Sequence, residues 1–127
     1  MRGTYLDFIR RERPGFEPLF CQRASDIRAA ELRARGVTGL FCCDDVGAIQ
    51  AIGRLREQGA DVPDDFSVVS YGNTDLSRFF TPAITSVDPR NEEMADALAA
   101  LIAPQGRLAA VDLRAHVALP ELVIRAT

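Results

Sequence analysis

The chain has 127 residues, a formal net charge of -3 and a sequence pI near 5.1, which fit one globular domain and give no general attraction to the phosphates of DNA. All fifteen basic residues are arginine, which excludes a Schiff-base lysine, a Walker lysine and a Ser–Lys dyad. The longest apolar runs are too short to span a bilayer, and the first residues do not form a secretory signal. We therefore expect a cytoplasmic protein without membrane contact.

The cysteines and the one histidine do not form a catalytic or metal-binding pattern. Cys21, Cys42 and Cys43 lack the spacing of a zinc site, and neighbouring strand residues such as Cys42 and Cys43 point to opposite faces. His116 has no nearby serine or cysteine in sequence, so a hydrolase with Cys42 or Cys43 as nucleophile lacks a base. We expect reduced, buried thiols, no metal, no cofactor and no catalytic residue, and we predict that the chain is not an enzyme.

The first third of the chain shows two helical patterns around a short apolar segment. Apolar residues at helical spacing predict a helix over residues 2–12, which a Pro-Gly pair ends. Residues 18–21 predict a short strand. Ser25 can cap a second helix over 26–35, and Gly36 suits its C-terminal end.

The middle of the chain alternates apolar runs with helical patterns. The run over residues 37–43 is typical of a buried parallel strand, and the runs over 66–71 and 84–87 predict two more. Residues 46–59 predict an amphipathic helix between the first two strands. A polar loop is expected over 72–77.

The last part of the chain predicts one long helix and an extended end. Asp88 and Pro89 form a good helix start, and a stripe of apolar residues continues the helix over 91–103. Residues 114–125 are expected to be extended and interrupted by Pro120. Strands that alternate with helices predict an α/β fold, a three-layer parallel sheet with helices on both faces.

Polar residues follow two of the predicted core strands. Asp44 and Asp45 come after the first, and Gly72 and Asn73 come after the second. Ligands of open α/β sheets bind at the carboxyl ends of the strands, so these residues are the candidate site. A carboxylate in this place either caps the following helix or faces a ligand, and both interpretations stay open for Asp44 and Asp45.

Four segments together resemble the lactose/galactose repressor (LacI/GalR) family of bacterial transcriptional regulators. They are residues 41–45 (FCCDD), 59–73 (GADVPDDFSVVSYGN), 80–87 (FTPAITSV) and 119–125 (LPELVIR). Each motif alone is weak, but the order and spacing of all four are those of the effector-binding region of that family. The resemblance covers residues 40–125 well and residues 2–36 loosely.

The resemblance implies a periplasmic-binding-protein-like fold, in which two subdomains hold a small polar effector between them. The chain, residues 1–127, then forms a single partial effector-binding domain. Residues 1–88 and 115–127 form the C-terminal subdomain, and residues 89–104 form a helix of the otherwise missing N-terminal subdomain. The helix-turn-helix that contacts operator DNA is not in this chain, so we expect no direct contact with nucleic acid. Without its subdomain, the apolar stripe of that helix lacks a partner.

The resemblance also implies ligand-binding positions, and the chain departs from the family at several of them. The implied positions are Arg2, Asp44, Asp45, Gly72 and Asn73. The family has asparagine in place of Asp44 and a sugar-binding aspartate in place of Gly72, and it often has an aromatic ring in place of Ala24. These departures imply either an effector other than the usual sugar or a site that has lost its affinity.

A homodimer is the second implication of the resemblance. The positions implied for its interface are Ile49, Ile52, Phe79 and Phe80. Two neighbouring aromatic residues usually pack in a core, so we expect one of Phe79 and Phe80 to point inward and the other to lie in the interface.

Two other interpretations remain open at this point. A flavodoxin-like receiver domain with Asp44 or Asp45 as phospho-acceptor also has an acidic cluster at strand ends, but it needs a lysine that this chain lacks. An inert fragment without ligand binding is the other alternative.

Overall fold

An open sheet of four strands runs through the computed structural model, which describes residues 2–102 and 118–127, with side chains over 3–99 and 118–127. The strands are β1 (Gly39–Phe41), β2 (Ser67–Tyr71), β3 (Thr85–Asp88) and β4 (Glu121–Val123). The helices are α1 (Arg2–Glu12), α2 (Ala29–Ala34), α3 (Asp45–Glu57), α4 (Asp75–Phe79) and α5 (Asn91–Ile102), and a 3₁₀ turn covers Ala24–Asp26. The predictions for residues 103–117, including His116, lie outside the described residues.

The strands are arranged in the order β1-β2-β3-β4. The first three are parallel, as predicted, with Leu40 opposite Val68 and Ser70 opposite Ser86. Strand β4 pairs antiparallel to β3, so the prediction of an all-parallel sheet is wrong at this edge. The residue pattern could not show this, because an extended run has the same pattern in either direction.

The main core lies on the face of the sheet that α3 covers. The buried residues of this core include Ile52, Leu55, Phe66, Val68 and Ile84. On the opposite face of the same strands, Phe41 is 58 % exposed, and Val69 and Tyr71 are half-buried. The two faces of the sheet therefore differ in how completely the described residues cover them.

Helix α1 begins and ends at the residues that its pattern predicts. The next two segments differ from their predictions. Residues 18–21 are not a strand, because they make no ladder with any described strand. The predicted helix over 26–35 is divided into the 3₁₀ turn and α2. Ser25 donates to the carboxylate of Asp26 and does not cap α2.

The side chain of Gln58, the residue directly after α3, caps α2 in place of Ser25. The Gln58 carbonyl oxygen accepts the amide N–H of Ala29 at 3.0 Å, and its amide group donates to the carbonyl oxygen of Ile27 at 3.0 Å. This cap comes from 29 residues away in sequence, so local pattern could not reveal it. Gly36 ends the helix with φ +67, as predicted.

The polar loop predicted over 72–77 contains the first turn of α4. The helix is five residues long, too short for an apolar stripe to show. The long helix α5 begins two residues later than Pro89, and Asp88 belongs to β3. Within the described residues, every helix is too short or too polar to cross a membrane.

The three cysteines are free thiols, and their burial differs from the prediction. Cys42 is half-buried, whereas Cys21 and Cys43 are exposed. Burial, with the nearby Cys43 and Asp44, raises the pKa of Cys42 to about 11, so this thiol is a poor nucleophile at neutral pH.

Candidate functional site

The carboxyl ends of β1, β2 and β3 meet at one edge of the sheet. Asp45 begins α3 just after β1, residues 72–74 follow β2, and Asp88 ends β3. Parallel pairing brings these three points together although up to 43 residues separate them in sequence. We call residues 72–74 the strand-end loop.

Asp45 is a buried carboxylate at the centre of this edge, with 3 % of its surface exposed. One carboxylate oxygen accepts hydrogen bonds from the hydroxyl groups of Ser70 and Ser86, the latter at 3.1 Å. The other oxygen accepts the amide N–H and the hydroxyl group of Thr74, both at 2.7 Å. Asp45 therefore joins the start of α3 to the ends of β2 and β3 and to the strand-end loop.

These hydrogen bonds keep Asp45 ionised. Burial alone raises the pKa of a carboxyl group, but the bonds from Ser70, Thr74 and Ser86 together outweigh burial and lower the pKa of Asp45 below its ordinary value. A buried carboxylate with four donors is stable as an anion and needs no metal ion for compensation.

Asp44 has the capping role that the sequence left open. Its side chain accepts the amide N–H of Gly47 at 2.6 Å, at the N-terminus of α3. A carboxylate also suits the positive end of the helix dipole. Asp44 is exposed, so it faces solvent while it caps the helix.

The strand-end loop is shaped around Asp45. Gly72 has φ +136, and a Cβ atom built on it would lie 3.2 Å from a carboxylate oxygen of Asp45. The amide N–H of Gly72 donates to the carbonyl oxygen of Val87 at 2.9 Å, and that of Asn73 donates to the hydroxyl oxygen of Ser86 at 3.0 Å. Asn73 has φ +51, a conformation that asparagine tolerates better than most residues.

Asn73 connects the loop to the end of the chain. Its side-chain N–H donates to Asp88 at 2.8 Å, and its side-chain oxygen accepts from the guanidinium group of Arg125 at 2.5 Å. Arg125 also donates to the carbonyl oxygen of Ile84 at 2.7 Å. Hydrogen bonds from the backbone of Arg90 and the side chain of Asn73 are the main causes that lower the pKa of Asp88.

The structure thus brings three of the five predicted ligand-binding residues together. Asp45, Gly72 and Asn73 surround one hydrogen-bond network, and Asp44 lies beside it at the cap of α3. Arg2 is the first residue of α1, where only its backbone is described. The sequence did not indicate Arg125 as a member of the site, although it ends the last family motif.

An open groove of about 750 Å³ lies between the 3₁₀ turn and α3. Asp44 and Ala24 both line it, together with charged side chains that include Arg23, Arg54 and Glu57. The position where the resemblance implies an aromatic ring therefore shares a groove with Asp44.

The four residues predicted for a dimer interface have different surroundings. Ile52 is fully buried in the core of one chain and cannot contact a second copy, so this part of the prediction is wrong. Ile49 and Phe80 are partly buried and pack against the same core. Phe79 is 76 % exposed. Of the aromatic pair, Phe80 points inward and Phe79 points outward.

The apolar stripe of α5 is only half covered. Met94 is 49 % exposed and Leu98 is 50 % exposed. Leu122 and Ile124, in and after the edge strand β4, are also exposed. Exposed apolar side chains such as these are typical of surfaces that another part of a protein covers.

Known proteins with this fold identify the class of the chain. The periplasmic binding protein-like domain matches residues 3–127, so the chain belongs to that family. A transcriptional repressor named PurR from Mannheimia succiniciproducens is 39 % identical over 90 residues, which are 69 % of this chain and 26 % of that protein.

Solved structures of LacI-family regulators also resemble the chain. A LacI-family regulatory protein from Corynebacterium glutamicum is 29 % identical with a TM-score of 0.55, over 78 % of this chain and 39 % of the other. A LacI-family regulator from Arthrobacter sp. FB24, solved with lactose, has the same fold with a TM-score of 0.72 at 20 % identity, over 99 % of this chain and 50 % of the other. The chain resembles the effector-binding domain of LacI-family regulators, as its motifs predict, and not a receiver domain. It spans about a quarter of the curated relative and at most half of these structures.

Proposed function

We propose that the chain is the effector-sensing and dimerisation part of a LacI-type bacterial transcriptional regulator that acts in the cytoplasm and is not an enzyme. The proteins it resembles are transcriptional regulators, and operator DNA would be contacted through a domain outside this chain. The observation that carries the proposal is the meeting of Asp45, the strand-end loop and Asp88 at the carboxyl ends of parallel strands. This is the edge where open α/β sheets bind small molecules.

A small polar effector is the proposed ligand, and Asp44, Gly72 and Asn73 are proposed to form one wall of its site. Arg2 is proposed as a ligand contact from the resemblance alone. We expect Asp45 to act by holding the loop, because its carboxylate already accepts four hydrogen bonds. Each wall residue is near a strand end or a helix start, so a bound ligand would contact several elements of the fold at once.

A thermal-unfolding panel tests the ligand proposal. The compounds are lactose, cellobiose, ribose and adenosine, each at millimolar concentration with the 127-residue chain. An effector at one hundred times its dissociation constant adds about 2.7 kcal/mol to the free energy of unfolding. The matched variant Asn73→Ala should reduce that gain, whereas Arg10→Ala on the exposed side of α1 should not. If none of the compounds stabilises the chain, the result favours the interpretation as an inert fragment without ligand binding.

We also propose that residues 1–88 and 115–127 belong to the C-terminal subdomain and that residues 89–104 belong to the N-terminal subdomain. The half-exposed Met94 and Leu98 support this division, because a helix seated in its own subdomain would bury them. Hydrogen exchange provides the test. The amides of residues 95–99 should exchange much faster than those of residues 49–55 in α3. Equal protection of the two helices would contradict the division.

A homodimer formed through the surface of α3 and α4 is the third part of the proposal. Phe79, Leu76 and Val46 are each at least half exposed, and α4 lies against α3. Exposed large apolar side chains on two helices that contact each other favour association. Sedimentation of the chain should show a dimer that Phe79→Glu converts to a monomer. Phe16→Glu, another exposed aromatic position, is the matched control and should leave the dimer intact. A clean monomer of the unaltered chain at high concentration would contradict this part.

A further inference from the structure

Arg125 donates hydrogen bonds to two ends of the segment that joins β2 to β3. One terminal nitrogen of its guanidinium group donates to the side-chain oxygen of Asn73 at 2.5 Å, and the other donates to the carbonyl oxygen of Ile84 at 2.7 Å. Asn73 lies two residues after the end of β2, and Ile84 lies directly before β3. We call residues 72–84 the β2–β3 connection, and one side chain holds it near its start and at its end.

The backbone of Arg125 is itself fixed, so its side chain starts from a defined position. The amide N–H of Arg125 donates to the hydroxyl oxygen of Thr85 at 3.0 Å. Two residues later, the hydroxyl group of Thr127 accepts the amide N–H of Thr85 at 2.9 Å and donates to the carbonyl oxygen of Val68 at 2.6 Å. The segment after β4 is therefore bonded to both β2 and β3.

The amide group of Asn73 has one orientation between its two charged neighbours. Arg125 offers only donors and therefore requires the side-chain oxygen, whereas the carboxylate of Asp88 offers only acceptors and requires the side-chain N–H. Asn73 also has φ +51, a backbone conformation that is uncommon for residues other than glycine. Loss of Arg125 would therefore remove one of the two side-chain bonds that hold Asn73 in this state.

Helix α4 lies within the β2–β3 connection and is bonded to Ile84 on its inner side. Ser77 is fully buried, its carbonyl oxygen accepts the amide N–H of Ile84 at 2.8 Å, and its hydroxyl oxygen lies 3.5 Å from the guanidinium group. Leu76 and Phe79 of the same helix are exposed and belong to the proposed dimer surface. One guanidinium group therefore contacts the candidate site and the inner side of the helix that carries this surface.

We propose that Arg125 is a positioning residue that couples the candidate site to the dimer surface: it holds Asn73 and the α4 region with one planar group, so that a change at Asn73 alters the association of two chains. A guanidinium group suits this role, because its donors have a fixed geometry and can bind two acceptors at once. The coupling rests on the effector-binding and dimerisation functions proposed above. It implies that effector binding and dimerisation each change the affinity of the other.

A double-mutant cycle on the dimer dissociation constant tests the coupling without any ligand. In sedimentation, Asn73→Ala should weaken the dimer at least about fivefold in the unaltered chain, but less than about twofold where Arg125→Gln is already present. The strand-end loop and α4 are also consecutive in sequence, and transmission along the backbone alone would give equal effects in both backgrounds. Equal effects of Asn73→Ala would therefore overturn the proposal.

Arg56→Gln is the matched control for this cycle. Arg56 also holds the β2–β3 connection, because it donates to the carbonyl oxygen of Thr81 at 3.1 Å, and among the described residues it has no hydrogen bond to Asn73. Asn73→Ala should weaken the dimer as much with Arg56→Gln as without it. If Arg56→Gln abolishes the effect as Arg125→Gln does, general loosening of the connection explains both results and the specific role of Arg125 is wrong.

NMR of the unaltered chain gives a measurement that applies even where Arg125→Gln does not fold. The guanidinium N–H resonances of Arg125 should be individually resolved at low temperature, because two acceptors hinder rotation of the group. Those of the exposed Arg35 should be averaged by rotation. Averaged resonances for Arg125 would overturn the proposal.

Failure of the proposed function can be distinguished from failure of the coupling. If the unaltered chain sediments only as a monomer, the dimerisation part fails, and the same cycle is then measured on the amide resonances of Leu76 and Phe79. Asn73→Ala should shift these resonances less where Arg125→Gln is present, and equal shifts would overturn the role of Arg125. If no compound of the thermal panel stabilises the chain, the effector part fails, but the cycle needs no ligand and still decides the role of Arg125.

Discussion

Helices α3 and α5 have similar length and similar apolar stripes, yet the stripe of α3 is buried and that of α5 is half exposed. In α3 the residues Ala48, Ile52 and Leu55 are fully buried beneath the sheet. In α5 the residues Met94 and Leu98 remain half exposed. An apolar stripe indicates that a helix has a face to bury, but only the packing shows whether the covering surface is present. The difference supports the proposal that α5 belongs to a second subdomain.

The sharpest test of this comparison is the same substitution in both helices. Leu55→Ala should lower the free energy of unfolding by about 3 kcal/mol, since it leaves a cavity in a closed core. Leu98→Ala should lower it by no more than about 0.5 kcal/mol, because the side chain is already half in solvent. Urea unfolding of the two variants measures both values. Similar losses would show that α5 is as well packed as α3.

The start of α3 gives the next largest expected effect. Asp45→Asn should cost about 2 kcal/mol at pH 7, because an amide cannot accept all four of the hydrogen bonds that the carboxylate accepts. The pKa of Asp45 is lowered in the folded chain, so its contribution is fully present above the ordinary value of 3.8 and is lost as the pH falls through the folded pKa.

The loss caused by Asp45→Asn should therefore shrink as unfolding is measured at lower pH. Ser86→Ala is a useful companion variant, because it removes one donor and leaves the carboxylate in place. A cost of Asp45→Asn that stays constant from pH 7 to pH 3 would show that the charge of Asp45 is not what holds the strand ends.

The cap of α3 contributes less than its buried first residue. Asp44→Ala should cost about 1 kcal/mol through loss of the bond to Gly47, and Asp44→Asn should be close to neutral because asparagine is an equally good cap. Thermal unfolding compares the two. If both variants lose the same stability, the negative charge at the helix start matters more than the capping bond.

The smallest expected effect concerns reactivity and not stability. Cys43 is exposed, whereas burial raises the pKa of the neighbouring Cys42 to about 11. Iodoacetamide at pH 8 should modify Cys43 at least about ten times faster than Cys42, because only the thiolate reacts. Peptide mass mapping over time measures the two rates. Equal rates would show that the start of α3 opens more readily than its packing indicates.

Local patterns predicted much of the fold. Helix α1 has its predicted bounds, and β2 and α3 lie within one or two residues of theirs. The elements that were missed or altered depend on distant partners. Gln58, directly after α3, caps α2, and the direction of the edge strand β4 is set by its pairing with β3. The family motifs identified the right class, since four of them occur in order.

The candidate site was predicted in its position but not in its internal roles. Polar residues after apolar runs correctly indicated the carboxyl ends of the strands. The sequence left open whether Asp44 and Asp45 cap a helix or face a ligand. The structure assigns the cap to Asp44 and the buried hydrogen bonds to Asp45. Arg125 was not among the predicted site residues, because its partner Asn73 is 52 residues away in sequence.

By itself, the sequence of this protein determined its class, its main helices and strands, and the edge of the sheet where a ligand would bind. Those features depend on residue type and on spacing along the chain, which the sequence contains directly. Only the tertiary structure decided that Ser70, Thr74 and Ser86 donate to one carboxylate and that Gly72 leaves room for it. Such a network depends on distances between strands that are far apart in sequence, and those distances arise when parallel pairing brings the strand ends to one edge.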